Sequence, residues 1–463
     1  MIEQLHFYYS NDLHSHFENW GNIVQYLNEK KTKHSYDKHP YWIVDIGDHV
    51  DRSHPISEAY LGKANVELLN QAGYDFATIG NNEGITLEYD DLFHLYDDAK
   101  FQVTCANLSS INERDPLWLQ EYITTETASG IRIGLVGLTA PFKPFYQPLG
   151  WNVHSPYNFL ESRLTRVKED VDILILLSHL GWTEDQYIAN HFPQIDVIIG
   201  GHTHHLLKNG EYINDTLITA AGKYGYYVGE VHLDWDHVKK CITKKQAYAV
   251  DTKVYQSDHA TEKLLSKVLD DANKLLEKPV TRLDYSMNVN WHESTPIIEA
   301  LTDHLLKWTK ADVAMLNAGI LLESLKAGMI TYGDIHRICP HPINPCLVEL
   351  KGIELIEVVR AAFKDELIHF ALKGFGFRGK IIGKIIFSGI ELDIHKDKQG
   401  IEHVKAVYQN GREIDHDKLY YLATADMFTF GKMFPEIARS EMKKFFLPEF
   451  MRDLLVDLLK KNN

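Results

Sequence analysis

His6-Phe7-Tyr8-Tyr9-Ser10-Asn11-Asp12-Leu13-His14 opens on His6 and three consecutive aromatic residues and ends in a carboxylate and an imidazole two positions apart. Such a run, closed by polar residues, reads as a buried strand with Asp12 and His14 on the loop behind it. Four later segments repeat the design. Trp42 to Ile46 leads into Gly47-Asp48, and Phe76 to Ile79 leads into Gly80-Asn81-Asn82-Glu83. Ile173 to Leu177 leads into Ser178-His179, and Val197 to Ile199 leads into Gly200-Gly201-His202-Thr203-His204. One Asp-x-His or Gly-Asp alone is no more than a turn. Five such segments in series, each behind a strand, point to metal ligation.

The residue types explain the chemistry. Asp12 and Asp48 offer hard oxygen ligands, and His14, His179, His202 and His204 offer neutral imidazoles suited to Mn²⁺, Zn²⁺ or Fe²⁺. Asn81 can add its amide oxygen. Asp48 is the natural bridge, since one carboxylate can span two ions about 3.5–4 Å apart. The number of ligands fits two divalent ions, and a hydroxide held between two cations can attack phosphorus at neutral pH.

Around these motifs the chain alternates short apolar strands with helical patterns up to about residue 245, which predicts an α/β layered domain with its functional residues on the loops after the strands. One helix is expected over Ser57 to Leu69, ending near Gly73. Thr216 to Ala220 and Tyr226 to Asp234 read as antiparallel strands. A charged amphipathic run over about 258–278 reads as a helix joining two domains. A second α/β unit then opens with a helix over Ile297 to Thr309 and a strand over Val313 to Asn317, and closes with a helix over Pro448 to Lys460. The expected division is 1–250, a linker helix in 251–285, and 286–463. A chain of 463 residues is too long for one ordinary core, which agrees with two domains.

With 48 basic and 64 acidic residues the formal charge is −16, which argues against a nucleic-acid polymer or an anionic membrane as partner. The four cysteines are scattered without a C-x-x-C pair, so neither a disulfide framework nor a thiolate zinc site is expected. No signal-peptide pattern or membrane-spanning run is seen, and a cytoplasmic protein is expected. Oligomeric state is left open.

The motifs resemble those of the calcineurin-like metallophosphoesterase superfamily, and the whole chain resembles its 5'-nucleotidase family, in a cytoplasmic bacterial branch. The family strings are Asn-Asp-x-His, Gly-Asp, Gly-Asn-His-Glu, Ser-His and Gly-His-x-His. This chain has Asn11-Asp12-Leu13-His14, Gly47-Asp48, Gly80-Asn81-Asn82-Glu83, Ser178-His179 and Gly201-His202-Thr203-His204. Ala311 to Gly319, Gly328 to Asp334 and Leu350-Lys351-Gly352 resemble the family's second domain. The resemblance implies a four-layer αββα metallophosphoesterase domain joined by a helix to an α/β substrate domain. It implies that Asp12, His14, Asp48 and His204 hold one ion, and that Asp48, Asn81, His179 and His202 hold the other. It implies hydrolysis of nucleotide phosphate esters, with 2',3'-cyclic nucleotides or UDP-sugars as alternative substrates.

Two departures stand out. Asn82 replaces the family histidine that contacts the phosphoryl group, and an amide cannot carry a proton near neutral pH. His16 and His49, close to ligands, are candidates to replace it. If neither does, the chain is expected to be a slow enzyme or a metal- and nucleotide-binding sensor. The family also places an arginine three positions after Gly319, where this chain has Leu322. Arg378, in Gly374-Phe375-Gly376-Phe377-Arg378, is the expected substitute. Family members hold the base between two aromatic rings. Phe375 or Phe377, with Phe428 or Phe434, are the candidates here, and Asn317 and Gly319 complete the expected substrate-binding set.

Overall fold

The computed structural model describes residues 1–461 except 113, 399–401 and 432. The chain divides into two compact units, 1–272 and 273–463, the division falling inside the His259–Leu276 helix.

Among the described residues, the first unit has two large sheets. One has seven strands, in the order Cys241–Asp251, Tyr227–Asp236, β1 (Ile2–Ser10), β2 (Tyr41–Asp45), β3 (Phe76–Ala77), Gln102–Thr104 and Leu119–Gln120. The other has six, in the order Glu211–Ile213, Thr216–Thr219, Val197–Gly200, Ile173–His179, Arg132–Thr139 and Ile123–Glu126. The two-residue period of strands builds the layers. Leu5, Phe7 and Tyr9 meet Ile173, Ile175 and Leu177 between the sheets. Leu174 and Leu176 face outward onto Phe159, Leu160 and Leu164 of the Pro156–Glu169 helix. On the far side, Tyr8 faces Tyr26 and His34 of α1 (Trp20–Asp37). This is the four-layer αββα arrangement.

Parallel pairing sets where the loops emerge. β1, β2 and β3 run parallel, as do Arg132–Thr139, Ile173–His179 and Val197–Gly200. One expectation is refined and one corrected. Thr216–Thr219 is antiparallel to Glu211–Ile213, as expected, but parallel to Val197–Gly200 on its other side, and Tyr227–Asp236 is antiparallel to β1 in the first sheet. The helix expected over Ser57 to Leu69 is two helices, Pro55–Tyr60 and Lys63–Ala72. Leu61 and Gly62, at φ 49° and 82°, are both left-handed and break the helical hydrogen-bond series between them.

The second unit is built on a five-stranded sheet, in the order Ile385–Ser388, Val313–Asn317, Leu419–Ala425, Pro345–Lys351 and Lys443–Phe445. Leu301 and Leu305 of the Pro296–Thr309 helix, Leu355 of Gly352–Ala362 and Leu455 of Met451–Lys461 share one core with Leu316 of this sheet. The last helix thus begins at Met451, later than Pro448. No helix among the described residues is long and apolar enough to cross a membrane.

Candidate metal centre

The loops after β1 and β2 are laced together by their backbones, and the segment at Tyr224 is tied to them. Asp12 N–H donates to Gly47 O at 3.1 Å, His14 N–H to Asp48 O at 2.8 Å, and Tyr224 N–H to Asp12 O at 2.8 Å. Gly47 and Gly80 are required by this approach. A Cβ on Gly47 would lie 2.2 Å from Gly80 N, and one on Gly80 would lie 2.0 Å from Asp48 Oδ1. Asp12, His14, Asp48, His202 and His204 all hold positive φ, between 48° and 70°. Such conformations cost non-glycine residues about 1–3 kcal/mol each and cluster at functional sites.

The side chains converge in two overlapping groups: Asp12 with His14 and His204, and Asp12 with Asp48 and His179, the candidate ligand atoms of each lying within 4.8 Å of one another. In the first, His204 Nε2 lies 3.4 Å from Asp12 Oδ1 and 3.2 Å from His14 Nε2. In the second, His179 Nε2 lies 3.3 Å from Asp48 Oδ2. The same Asp48 oxygen is 3.6 Å from His14 Nε2, so it stands between the groups. The His202 ring is 5.3 Å from that of His179, and the backbone N–H of His202 donates to Asp12.

Asp12 and Asp48 are almost wholly buried, and buried carboxylates require a paired charge or a metal. His179 Nδ1 donates to Ile46 O at 2.8 Å, which turns Nε2 inward as a lone-pair donor. That Nε2 and Asn81 Oδ1 are buried without a hydrogen-bond partner. Burial opposes the charged form of His179, but the Asp48 carboxylate outweighs it and raises the ring's pKa, so a cation bound at Nε2 would take the place of that proton. Burial likewise opposes ionisation of Asp48, yet His179 and His14 hold its carboxyl below the usual range. The donor set of buried carboxylates, imidazoles and an unpaired amide oxygen fits divalent cations.

Several important contacts come from motif residues to which no role was assigned, Glu83 and Asn11, and from Asp51 and Tyr224 outside the ligand set. Glu83, fully buried, accepts from Asp48 N and Gly80 N at 3.0 Å and from Val50 N at 2.8 Å, tying both loops to one carboxylate. Asn11 Nδ2 donates to Asp12 Oδ2 and to Gly222 O, each at 2.7 Å. Asp51 Oδ2 lies 3.6 Å from His14 Nδ1. Its signal is present in the spacing Gly47-Asp48-His49-Val50-Asp51, which repeats a carboxylate three positions on. Tyr224 rests edge-on against His14 and close to His16.

Asn82 and its two offered substitutes, His16 and His49, are placed differently from one another. The Asn82 carboxamide is engaged with the chain itself: Nδ2 donates to Val50 O at 3.1 Å and lies 3.0 Å from His14 Nδ1. His49 is buried against Trp20 and Asn65, and burial pushes it down to about 3. This corrects its expected role, since it belongs to the packing behind the loop. His16 is half-buried at the rim, over Tyr224, with Glu18 at 2.6 Å from its Nδ1.

In the second unit, Phe428 and Phe434 are fully buried and pack edge to face on each other, so neither offers a face to a base. Phe377 is buried too, stacked on His341. Asn317 is buried with Nδ2 on Ile382 O at 2.9 Å, and a Cβ on Gly319 would lie 2.1 Å from Ile381 O. Burial puts the rings of Phe377, Phe428 and Phe434 in the core, which corrects the expectation of a base-stacking face at these three positions. Phe375 differs. It is half exposed and parallel to Phe430 within 7°, the ring centroids 5.7 Å apart. Arg378 follows it, its N–H donating to His341 Nδ1 at 2.9 Å and its Nη1 to Phe377 O at 3.2 Å.

Residues 5–206 match the family model for calcineurin-like phosphoesterases, and residues 276–435 match that for the 5'-nucleotidase C-terminal domain. The uncharacterized metallophosphoesterase YunD of Bacillus subtilis (strain 168) is 42% identical over 456 residues, covering 98% of this chain and 99% of that protein. The structure of the NAD nucleotidase NadN of Haemophilus influenzae is 17% identical, with a TM-score of 0.69 over 100% of this chain and 97% of that one. The 5'-nucleotidase precursor of Thermus thermophilus is 19% identical, with a TM-score of 0.61 over 99% and 96%.

Proposed function

Because the chain belongs to the calcineurin-like metallophosphoesterases that carry a 5'-nucleotidase C-terminal domain, and so is a metal-dependent hydrolase of phosphoester bonds, we propose that it hydrolyses nucleotide monoesters at a centre of two divalent ions. Asp12, His14, Asp48 and His204 would hold one ion, and Asp48, Asn81, His179 and His202 the other, with Mn²⁺, Zn²⁺ or Fe²⁺ as candidates. Such ions supply Lewis acidity and lower the pKa of water. The observation that carries the reading is Asp48 Oδ2, poised 3.3 Å from His179 Nε2 and 3.6 Å from His14 Nε2, while Oδ1 is held by Asn82 N–H at 2.7 Å.

The chain's own residues do the positioning. Glu83 fixes the Asp48 loop, Asn11 fixes Asp12, and the Ile46 carbonyl fixes the His179 tautomer. His16, at the rim beside Tyr224 and paired with Glu18, is the candidate for protonating a leaving group. In the second unit, Phe375 offers the nucleobase a stacking face and Arg378 offers a charge for an anionic group. The complete ligand set argues against a sensor that has lost turnover.

A phosphate-release screen tests this. Metal-stripped protein would be given nucleoside 5'-monophosphates, 2',3'-cyclic nucleotides and UDP-sugars, with Mn²⁺, Zn²⁺ and Mg²⁺ supplied separately. Monophosphates are expected to be the fastest substrates. A preference for the cyclic diester or the UDP-sugar would move the assignment to those esters, and no release with any metal would sink it.

A further inference from the structure

Phe7 and Tyr9 point between the sheets, so His6 and Tyr8 point the other way, under α1. His6 therefore sits in mid-strand on the outer face of the first sheet, away from the loops that build the centre described above. It meets His34 from the last turn of α1 and His39 from the connection to β2. Its ring centroid is 4.5 Å from that of His34 and 5.5 Å from that of His39. The candidate donor nitrogens of the three all lie within 4.8 Å of one another.

Two features set this cluster apart from ordinary packing histidines. His6 and His34 are only 7% and 2% exposed, yet neither ring nitrogen of His6, nor Nδ1 of His34, has a hydrogen-bond partner. Buried polar nitrogens are costly to leave unpaired, and three in one place ask for a common partner. Second, His34 Nε2 lies 2.6 Å from Tyr8 Oη. A hydrogen bond donated from Nε2 leaves the Nδ1 lone pair to face the cluster, as the outer partners of metal-binding histidines do.

We propose that His6, His34 and His39 form a separate metal site that takes a late first-row divalent cation, Zn²⁺ or its neighbours Cu²⁺ and Ni²⁺, through three neutral imidazoles. An all-nitrogen set without carboxylate selects these ions over Mg²⁺ or Ca²⁺. Burial holds His6 at about 3 and His34 at about 4, so both are neutral ligands at pH 7 without having to release a proton. Zn–N bonds of about 2.0–2.1 Å place two ligand nitrogens no more than about 4.2 Å apart, within small side-chain rotations of the arrangement seen. A fourth position is open to water, or to His232, which pairs with His6 across the strands and meets its ring edge-on at 4.6 Å. His232 is otherwise engaged by Glu230, 2.8 Å from its Nε2. His39 is half-buried and lines a surface cleft with Gln4, Lys38 and Pro40, so the cluster meets solvent on its side. The ion would tie the end of α1 and the loop before β2 to the central strand. Its role is structural, and it does not depend on the substrate proposed above.

The test counts Zn²⁺ equivalents by calorimetric titration of metal-stripped full-length protein. His39→Ala, on the loop, should fold normally, bind one equivalent fewer than wild type, and keep Mn²⁺-supported hydrolysis unchanged. His6→Gln should lose the same equivalent, and Asp48→Asn should retain it. If His39→Ala binds as many equivalents as wild type, the site does not exist as proposed. That result stands even if His6→Gln fails to fold.

Discussion

The backbone N–H of Asn82 donates to Oδ1 of Asp48 at 2.7 Å, which leaves Oδ2 alone to face both His14 and His179. A single residue on the loop after β3 therefore sets which oxygen of the carboxylate can be shared. Glu83, next along, pins the Asp48 N–H from the other side. The ligand loop after β2 is thus held by the Gly80 to Glu83 segment through the Asn82 backbone N–H on Asp48 Oδ1 and through the Glu83 carboxylate on the backbone N–H groups of Asp48 and Val50.

Asp48→Asn tests the shared oxygen. The amide keeps the size of the side chain but not the charge that both groups of ligands lean on. Turnover should fall by at least about 10³-fold, the upper end of what loss of one electrostatic stabiliser costs. Far-ultraviolet circular dichroism should be unchanged. Near-normal phosphate release from this variant would remove Asp48 from the centre.

His14 is braced on its outer side by Asn82 and Asp51. Loss of such outer partners typically costs about 10–100-fold in metal affinity or activity. Asn82→Ala and Asp51→Asn should therefore both raise the metal concentration needed for half-maximal activity. Asn82→His, although it restores the family residue, should not accelerate hydrolysis, because it gives up the bond to Val50 O. A gain of about 10²-fold in Asn82→His, the scale of an electrostatic stabiliser, would show that position 82 reaches the substrate.

The aromatic residues of the second unit should separate by role. Phe375→Ala removes an exposed stacking face, worth about 1–3 kcal/mol per base, and should raise KM for nucleotides with little change in melting temperature. Phe428→Ala opens the core and should cost about 3–5 kcal/mol of stability. Chemical denaturation and nucleotide kinetics on the two variants check both. Equal KM in wild type and Phe375→Ala would discard the stacking role.

Asp426 gives the second unit a pH dependence. Burial raises it from 3.8 to about 8. The folded state then holds a proton that the unfolded chain releases, so this residue's contribution is intact below about pH 4 and is lost as pH rises through about 8. The slope is up to about 1.4 kcal/mol per pH unit. Asp426→Asn, permanently neutral, should gain stability relative to wild type between about pH 5 and 8. Parallel melting curves with pH in the two proteins would refute the assignment.

Residue order alone made much of this molecule legible. Apolar runs in β1 and Ile173 to Leu177 marked buried strands, and the polar residues behind each run marked the loops that carry Asp12, Asp48, His179, His202 and His204. Those features are local: a strand that must be buried declares itself by its side chains, and its end by the first polar residue. The helix broken at Leu61-Gly62 and the pairing of Thr216–Thr219 were not legible, because a positive φ and a choice of neighbouring strand are imposed by packing. The same holds at the centre. His14, His16 and His49 look alike in a string of letters. Only the folded chain turns His14 Nε2 inward with Asp51 behind its Nδ1, lays His16 on Tyr224, and buries His49 behind the loop against Trp20. Likewise, the burial of Phe428 and the exposure of Phe375 follow from which face of a completed core each one meets. Side-chain chemistry is written residue by residue, but direction and exposure depend on what the rest of the chain brings alongside.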